Sequence, residues 1–427
     1  MKRAIIILIV VFGLDAAVNA QEKMTFTLGE CLEYAFGNSN ERQTILLSKK
    51  SQELNLQQAK LQRVPSVSAG ISESFGNNKT STGLSGSANI NASMPIYQGG
   101  EINATIQQQQ LQNEQADASI QRYDDNLSIQ ILQAFLTILG NKELIKYQQA
   151  VVKSSLEAMK QGEQKFKVGS ILESDYLLLV AQHASDTNNI IDTQISIENS
   201  LLSLKSLMSM DPLEQLDIVY PDTTALDKLA QLPTIQEAID ASADYSPSLK
   251  ISQYDIEIAK KSLKIAKAGY YPSVNLSAGV STGHFNFDAF GEQLSDRLSE
   301  NVGISVSIPI YSRGSTKIRI KQNEISLRQS ELDHAQNVLD LRQTVAQAYH
   351  DVVSAYNSYN VTKMTKDAYL KSFEAYNVQF SYGSITAVEL LQQQNNYLNA
   401  LNKYIQSKYS FIMQRKMLDV YMGNGIY

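Results

Sequence analysis

The histidines, the cysteine and one adjacent pair of aspartates come first when the chain is searched for chemistry. His183, His284, His334 and His350 are the types that ligate metals or carry protons, but none pairs with Cys31 at metal-ligand spacing. His334 and His350 fall on one expected long helix, too far apart along it to share an ion. Asp124-Asp125 lies in a polar helical stretch and reads as a surface feature. There is no P-loop and no dinucleotide fingerprint. One cysteine cannot form an internal disulfide. The expectation is no cofactor, no metal and no catalytic centre, so the chain is not read as an enzyme.

The chain has 427 residues and, on length, two or three domains. Residues 1–20 are expected to be a secretory signal peptide. Met1-Lys2-Arg3 is basic, Ala4–Leu14 is apolar, and Val18-Asn19-Ala20 offers a small-residue cleavage site. That apolar core is shorter than the roughly 18 residues needed to cross a bilayer. A net charge of −6 with no basic block excludes nucleic acid as an expected partner. Beyond residue 20 no apolar run is long enough for a transmembrane helix. The exported chain is then either soluble or a membrane β-barrel.

A repeated unit organises the rest. Ala88–Gly100 and Val302–Gly314 each alternate small polar with apolar residues, reach Pro-Ile-Tyr, turn on glycine and start a long polar helical pattern. Thr27-x-x-Glu30 recurs as Thr234-x-x-Glu237, and Pro65-Ser-Val as Pro272-Ser-Val, both 207 positions on. The Pro-Ile-Tyr motifs, like Phe166-Lys-Val-Gly169-Ser and Phe380-Ser-Tyr-Gly383-Ser, are 214 positions apart. The pattern is an internal duplication. Residues 21–210 form a first repeat with a strand hairpin over about 66–97 and a helical hairpin over about 101–210. Residues 211–233 read as a connector, and residues 234–422 form a second repeat. Its strand hairpin covers about 272–311 and its helical hairpin about 315–422, with a short tail over 423–427.

In the first hairpin Val67, Ala69, Ile71 and Phe75 alternate with serine and glycine, and Leu84, Ala88, Ile90, Ala92, Met94 and Ile96 with serine and asparagine. One face therefore meets something apolar and the other meets water. Strands of about 9 to 12 residues suit a tilted crossing of a bilayer. Tyr97 and Tyr311 are expected at its boundary, with Pro95 and Pro309 just before them. Gly99, Gly100 and Gly314 are expected to turn the chain there. The helical patterns Glu101–Lys165 and Ser315–Gln379 contain no proline and would each reach about 100 Å. Gly169 and Gly383 sit where a left-handed helix end is needed, and returning helices follow over Asp175–Met210 and Ala387–Met422.

Four strands cannot close a barrel, and an open sheet edge in lipid is costly. Two protomers would give a filled eight-stranded barrel and three a twelve-stranded one, and a lining of serine, asparagine and glycine favours three. The expected fold is a mixed membrane β-barrel plus a long α-helical coiled-coil barrel, with four strands per protomer. A rival reading is a trimeric anchored stalk, structural or adhesive, without transport.

Four motifs in the same order, twice, resemble the TolC-like outer-membrane efflux proteins. The resemblance covers nearly the whole chain after residue 20. It implies a homotrimer in the outer membrane with the helices in the periplasm. It also implies a passive duct for efflux or type I secretion that docks to a periplasmic adaptor and an inner-membrane transporter. In that family acidic residues after the tip glycines narrow the periplasmic entrance, which corresponds to Asp175 and Glu389 here. The family's second acidic position is Gln392 and a basic latch position is Ile385, two departures. Three copies of each acid would make rings that attract cations. Thr386-x-x-Glu389 and Ser170-x-x-Glu173 also read as capping boxes. The tips Val168-Gly169-Ser170 and Tyr382-Gly383-Ser384 are the expected adaptor contacts.

Overall fold

Strands form where small polar and apolar residues alternate, and helices where that alternation gives way to three- and four-residue spacing. The computed structural model describes residues 24–77, 82–219, 231–285 and 290–426. The expected signal peptide, most of the first hairpin loop, part of the connector, the start of the second hairpin loop and Tyr427 lie outside the described residues.

The chain opens with β1 (Met24–Phe26), α1 (Leu28–Asn38) and α2 (Asn40–Leu61), then the hairpin β2 (Ser66–Asn77) and β3 (Thr82–Gln98). The helical hairpin α3 (Glu101–Lys167) and α4 (Glu173–Leu207) follows, then β4 (Leu216–Ile218). The second half runs α5 (Ile235–Tyr245), α6 (Pro247–Ala268), β5 (Ser273–Phe285), α7 (Phe290–Asp296), β6 (Ser299–Ser307), α8 (Ser315–Ser381) and α9 (Ala387–Tyr421). Both expected capping boxes at Thr27 and Thr234 are present, each with its glutamate bonded back to the cap. Both long helices are 67 residues, about 100 Å of rod, and both returning helices are 35.

One antiparallel sheet has the order β2-β3-β5-β6. Its register sorts most positions onto two contrasting faces. Ser66, Ser93, Ser277 and Gly303 form one cross-strand row, and Val67, Ala92, Ala278 and Val302 form the next. Since side chains alternate, one face is small and polar and the other apolar except toward its loop end, where Glu73, Thr282, His284 and Glu300 interrupt it. Val67, Ile71 and Val302 are 70%, 85% and 80% exposed, so none of the described residues covers the apolar face there. Around the helices, α2 packs on α3, α3 on α6 and α6 on α8, which leaves α2 and α8 at opposite edges of the layer. The main core gathers Leu32 of α1, Ile131, Phe135 and Leu139 of α3, and Leu401 and Ile405 of α9. Each such side chain contributes about 1.5–3 kcal/mol by leaving water.

Several features depart from or add to the expected layout. The second strand hairpin was expected to reach Tyr311, but β6 ends at Ser307, leaving Pro309 and Tyr311 outside any strand. The reason is the sheet edge. β3 lies between two strands, so past Pro95 it bulges and still pairs Tyr97 with Val274 and Gln98 with Ser273. β6 has β5 alone, whose first residue Ser273 is already opposite Ser307. The loop before β6 holds α7, docked by the Thr282 hydroxyl to the Leu294 carbonyl and by Gln293 to the Phe285 backbone at 2.7 and 3.1 Å. The connector contains β4, which pairs in parallel with β1 from Met24 opposite Leu216 to Phe26 opposite Ile218. Leu216 and Ile218 are buried, and Lys142 of α3 forms an ion pair with Asp217.

Asp124-Asp125, expected as a surface feature, is instead a joint. Arg42 of α2 grips Asp124 with two bonds of 2.7 and 3.0 Å, and the Tyr245 hydroxyl of α5 donates to Asp125 at 2.8 Å. Neighbouring residues on one turn of α3 thus hold elements from both halves of the chain. Burial raises the Asp125 carboxyl above its ordinary range and pushes Tyr245 up to about 12.

Candidate conduit wall and entrance

The strand-to-helix junctions place the sheet on the rods. Gly99, Gly100 and Gly314 have φ of +60°, +83° and +80°, so the expected change of direction uses the left-handed region. At Gly99 the need is double, because a Cβ would stand 2.7 Å from the Ala268 carbonyl and 2.8 Å from Tyr271 Cβ. In the second junction Arg313 occupies the left-handed region at φ +54° where the first has glycine. Tyr97 is half-exposed and pairs with Val274 at the end of β3, and Tyr311 is exposed beyond the end of β6.

The far ends of both rods close alike. The Gly169 N–H bonds the Phe166 carbonyl at 2.9 Å and the Ser170 N–H bonds the Lys165 carbonyl at 2.8 Å. Gly383 to Phe380 and Ser384 to Gln379, each 3.0 Å, repeat the arrangement. These are Schellman ends, with φ of +73° and +75° at the glycines. Val168 and Tyr382 are 79% and 83% exposed, so the expected adaptor contacts project from the tips. Ser170 is spent in this turn and does not cap α4, whose N-cap is Leu172 with no side-chain bond. The expected Ser170–Glu173 capping box is therefore absent.

Asp175 lies in the first turn of α4, where a carboxylate is favoured by the helix dipole, and it is part-exposed. Glu389 lies in the first turn of α9 and completes the box with Thr386, accepting its N–H at 2.8 Å and its hydroxyl at 3.0 Å. The Thr386 N–H, then its hydroxyl, hold the Glu389 carboxyl below the usual range. A lowered acid pKa means that the cap is fully present above the ordinary carboxylate pKa and is lost as the pH falls through the folded value. Gln392 is exposed and donates to Asn396 at 3.2 Å. The structure thus brings both acids to the same end of the molecule as the tips.

Several polar contacts had no signal in the sequence. Glu143 of α3 accepts from Lys408 and Tyr409 of α9 at 2.7 and 2.8 Å. Asp186 of α4 accepts from Gln394 of α9 at 2.6 Å, both 2% exposed. In the sheet, His284 Nε2 lies 2.6 Å from Glu73 across Gly86, where a Cβ would overlap both groups. A glycine interrupting an alternating strand was the one available hint of that close approach. Among the described residues no cluster of three or more metal-capable side chains occurs. Cys31 is buried, which pushes its thiol up to about 12.

The family model for outer membrane efflux proteins matches residues 43–209 and again residues 238–424. The chain belongs to that family. Membership in the outer membrane efflux proteins places it at the outer membrane. The outer membrane protein TolC of Escherichia coli (strain K12) is 21% identical over 319 residues, covering 72% of this chain and 63% of that protein. TolC of Vibrio cholerae is 22% identical over 345 residues, covering 79% and 76%. This chain therefore spans less than two thirds of the Escherichia coli relative. Among solved structures, CusC superposes with a TM-score of 0.81 at 15% identity, covering 93% of this chain and 92% of that one. The outer membrane protein VceC of Vibrio cholerae gives 0.79 at 16%, covering 94% and 97%. The fold is that of outer-membrane channels.

Proposed function

We propose that this efflux-family chain is a passive channel: three copies close a twelve-stranded barrel in the outer membrane, and their rods continue the wall into the periplasm. The observation that carries the reading is the sheet register, with a wholly small-polar row beside an uncovered apolar row on four strands that have two open edges. In lipid those edges need partners, and three copies supply them. The helices favour the same closure. Leu47, Leu54 and Leu61 on α2, and Ile318, Ile325, Leu332 and Leu339 on α8, are exposed apolar residues at seven-residue spacing. Such stripes are coiled-coil seams, and they lie on opposite edges of the helical layer, so α8 of one copy suits α2 of the next. Repeat motifs in matching order support an origin by duplication, with each half giving two strands and one helical hairpin.

The tips, with Val168, Gly169, Ser170, Tyr382, Gly383 and Ser384, are proposed to meet a periplasmic adaptor that links the duct to an inner-membrane transporter. Export of small molecules or secreted polypeptides both fit such a duct. Recording purified protein in planar bilayers tests the reading: discrete conductance steps are expected, and an electrically silent trimer would sink it. Asp175 and Glu389 are proposed to charge the entrance. Asp175→Asn with Glu389→Gln should move the reversal potential in a salt gradient toward zero, because cation preference falls with the rings. An unchanged reversal potential refutes that role.

A further inference from the structure

We propose that a basic collar where the sheet meets the rods binds the phosphates of anionic glycerophospholipids in the membrane leaflet facing the periplasm; this rests on the channel reading above. At the strand-to-helix junctions, residues 60–65, 99–105, 264–272 and 308–321 carry eight basic side chains and one acidic one, Glu101. All eight are exposed, and none is in an ion pair among the described residues. Farther from the sheet the same helices neutralise their lysines. On α2, Lys49 pairs with Asp117 and Lys50 with Glu53, and on α6 Lys260 pairs with Glu257. The uncompensated charge is thus confined to one level of a chain whose net charge is −6.

One of the eight is kept against backbone strain. Arg313 has φ +54° at the position 214 residues after Gly99, where glycine would sit without strain. Assembly concentrates the charge further. Lys321 lies three residues after Ile318 and four before Ile325, on the face of α8 that suits α2 of the next copy. At the same level of α2, Leu61 is flanked by Lys60 and Arg63. The first acid on α8, Glu324, comes a turn later and pairs with none of them. Closing the trimer therefore brings bases from two copies together, and like charges at a seam repel unless an anion lies between them. The level selects that anion. Exposed Tyr97, Tyr270, Tyr271 and Tyr311 mark the end of the apolar sheet face, the depth of the headgroups. Lysine and arginine reach headgroups with their stems along apolar surface. The bilayer holds a lipid phosphate at that depth, whereas nothing holds a free anion there.

Native mass spectrometry of the purified full-chain trimer, given phosphatidylglycerol or phosphatidylcholine in neutral detergent, tests this. The trimer should retain phosphatidylglycerol in preference to phosphatidylcholine. Lys60→Gln with Lys321→Gln should weaken phosphatidylglycerol retention about fivefold per lysine and leave phosphatidylcholine unchanged. Lys60→Arg with Lys321→Arg should behave as wild type. If the glutamine variant does not form trimers, Lys264→Gln with Lys267→Gln on α6 is measured in its place, with a loss in the same direction expected. Equal retention of the two lipids by wild type, or an unchanged preference in an assembled glutamine variant, overturns the collar. Displacement of phosphatidylglycerol by an equal concentration of inorganic phosphate would mark a free-anion site and overturns it too. Both results leave the channel reading intact, since conductance tests that separately. A wild-type chain that neither trimerises nor conducts removes the channel reading and the collar together.

Discussion

Leu54→Asp and Ile325→Asp are each expected to leave the helices formed but the chain unable to trimerise. Leu54 of α2 and Ile325 of α8 are 56% and 61% exposed in one copy, each in the middle of its seven-residue stripe. If a neighbour covers them, each contributes about 1.5–3 kcal/mol at every one of three interfaces. An aspartate there loses that term and adds the cost of drying a carboxylate with no partner. Gln329→Asp, at an exposed polar position one turn along α8 from Ile325, provides the control and should assemble normally. Light scattering in detergent reads the outcome. Trimers from Leu54→Asp and Ile325→Asp in wild-type yield would mean that the stripes are not the seam.

Glu143→Leu is expected to be the most damaging single change within a copy, costing about 3–5 kcal/mol. The carboxylate accepts both the Lys408 ammonium at 2.7 Å and the Tyr409 hydroxyl at 2.8 Å. Leucine fills the space but strips a buried ammonium of its carboxylate, which is worse than never having had the pair. The double change Glu143→Leu with Lys408→Met removes both charges and should recover much of the loss. Thermal unfolding of the four proteins measures it, and additive costs in the double variant would show that the pair is not coupled.

Much of the fold was legible because its signals are local. A proline-free run of three- and four-residue spacing specifies α3 and α8 whatever else surrounds them, and alternation specifies β2, β3, β5 and β6. The boxes at Thr27, Thr234 and Thr386 were readable since cap and glutamate lie three residues apart. Ser170 and Glu173 carry the same spacing, yet the box fails there because the Schellman turn claims the Ser170 N–H first and helix α4 starts only after Leu172. β4 was invisible, since three residues have no period and their stability comes from β1, far away in the chain. Glu143 with Lys408, and Asp186 with Gln394, were invisible for the same reason: the helices that bring them together are set by other residues.

β1 cannot take its place until β4 exists. A polypeptide delivered N-terminus first brings out Met24–Phe26 early, while the Leu216–Ile218 segment it must lie beside arrives only with the middle of the chain. The hairpin β2–β3 and the pair α3–α4 join neighbours in sequence and can form without waiting. The N-terminal strand instead pairs across almost the whole of the first half, the longest loop closure there. Pairing with β4, braced by Lys142 on Asp217, therefore closes the N-terminal end onto the connector that follows both hairpins of the first half.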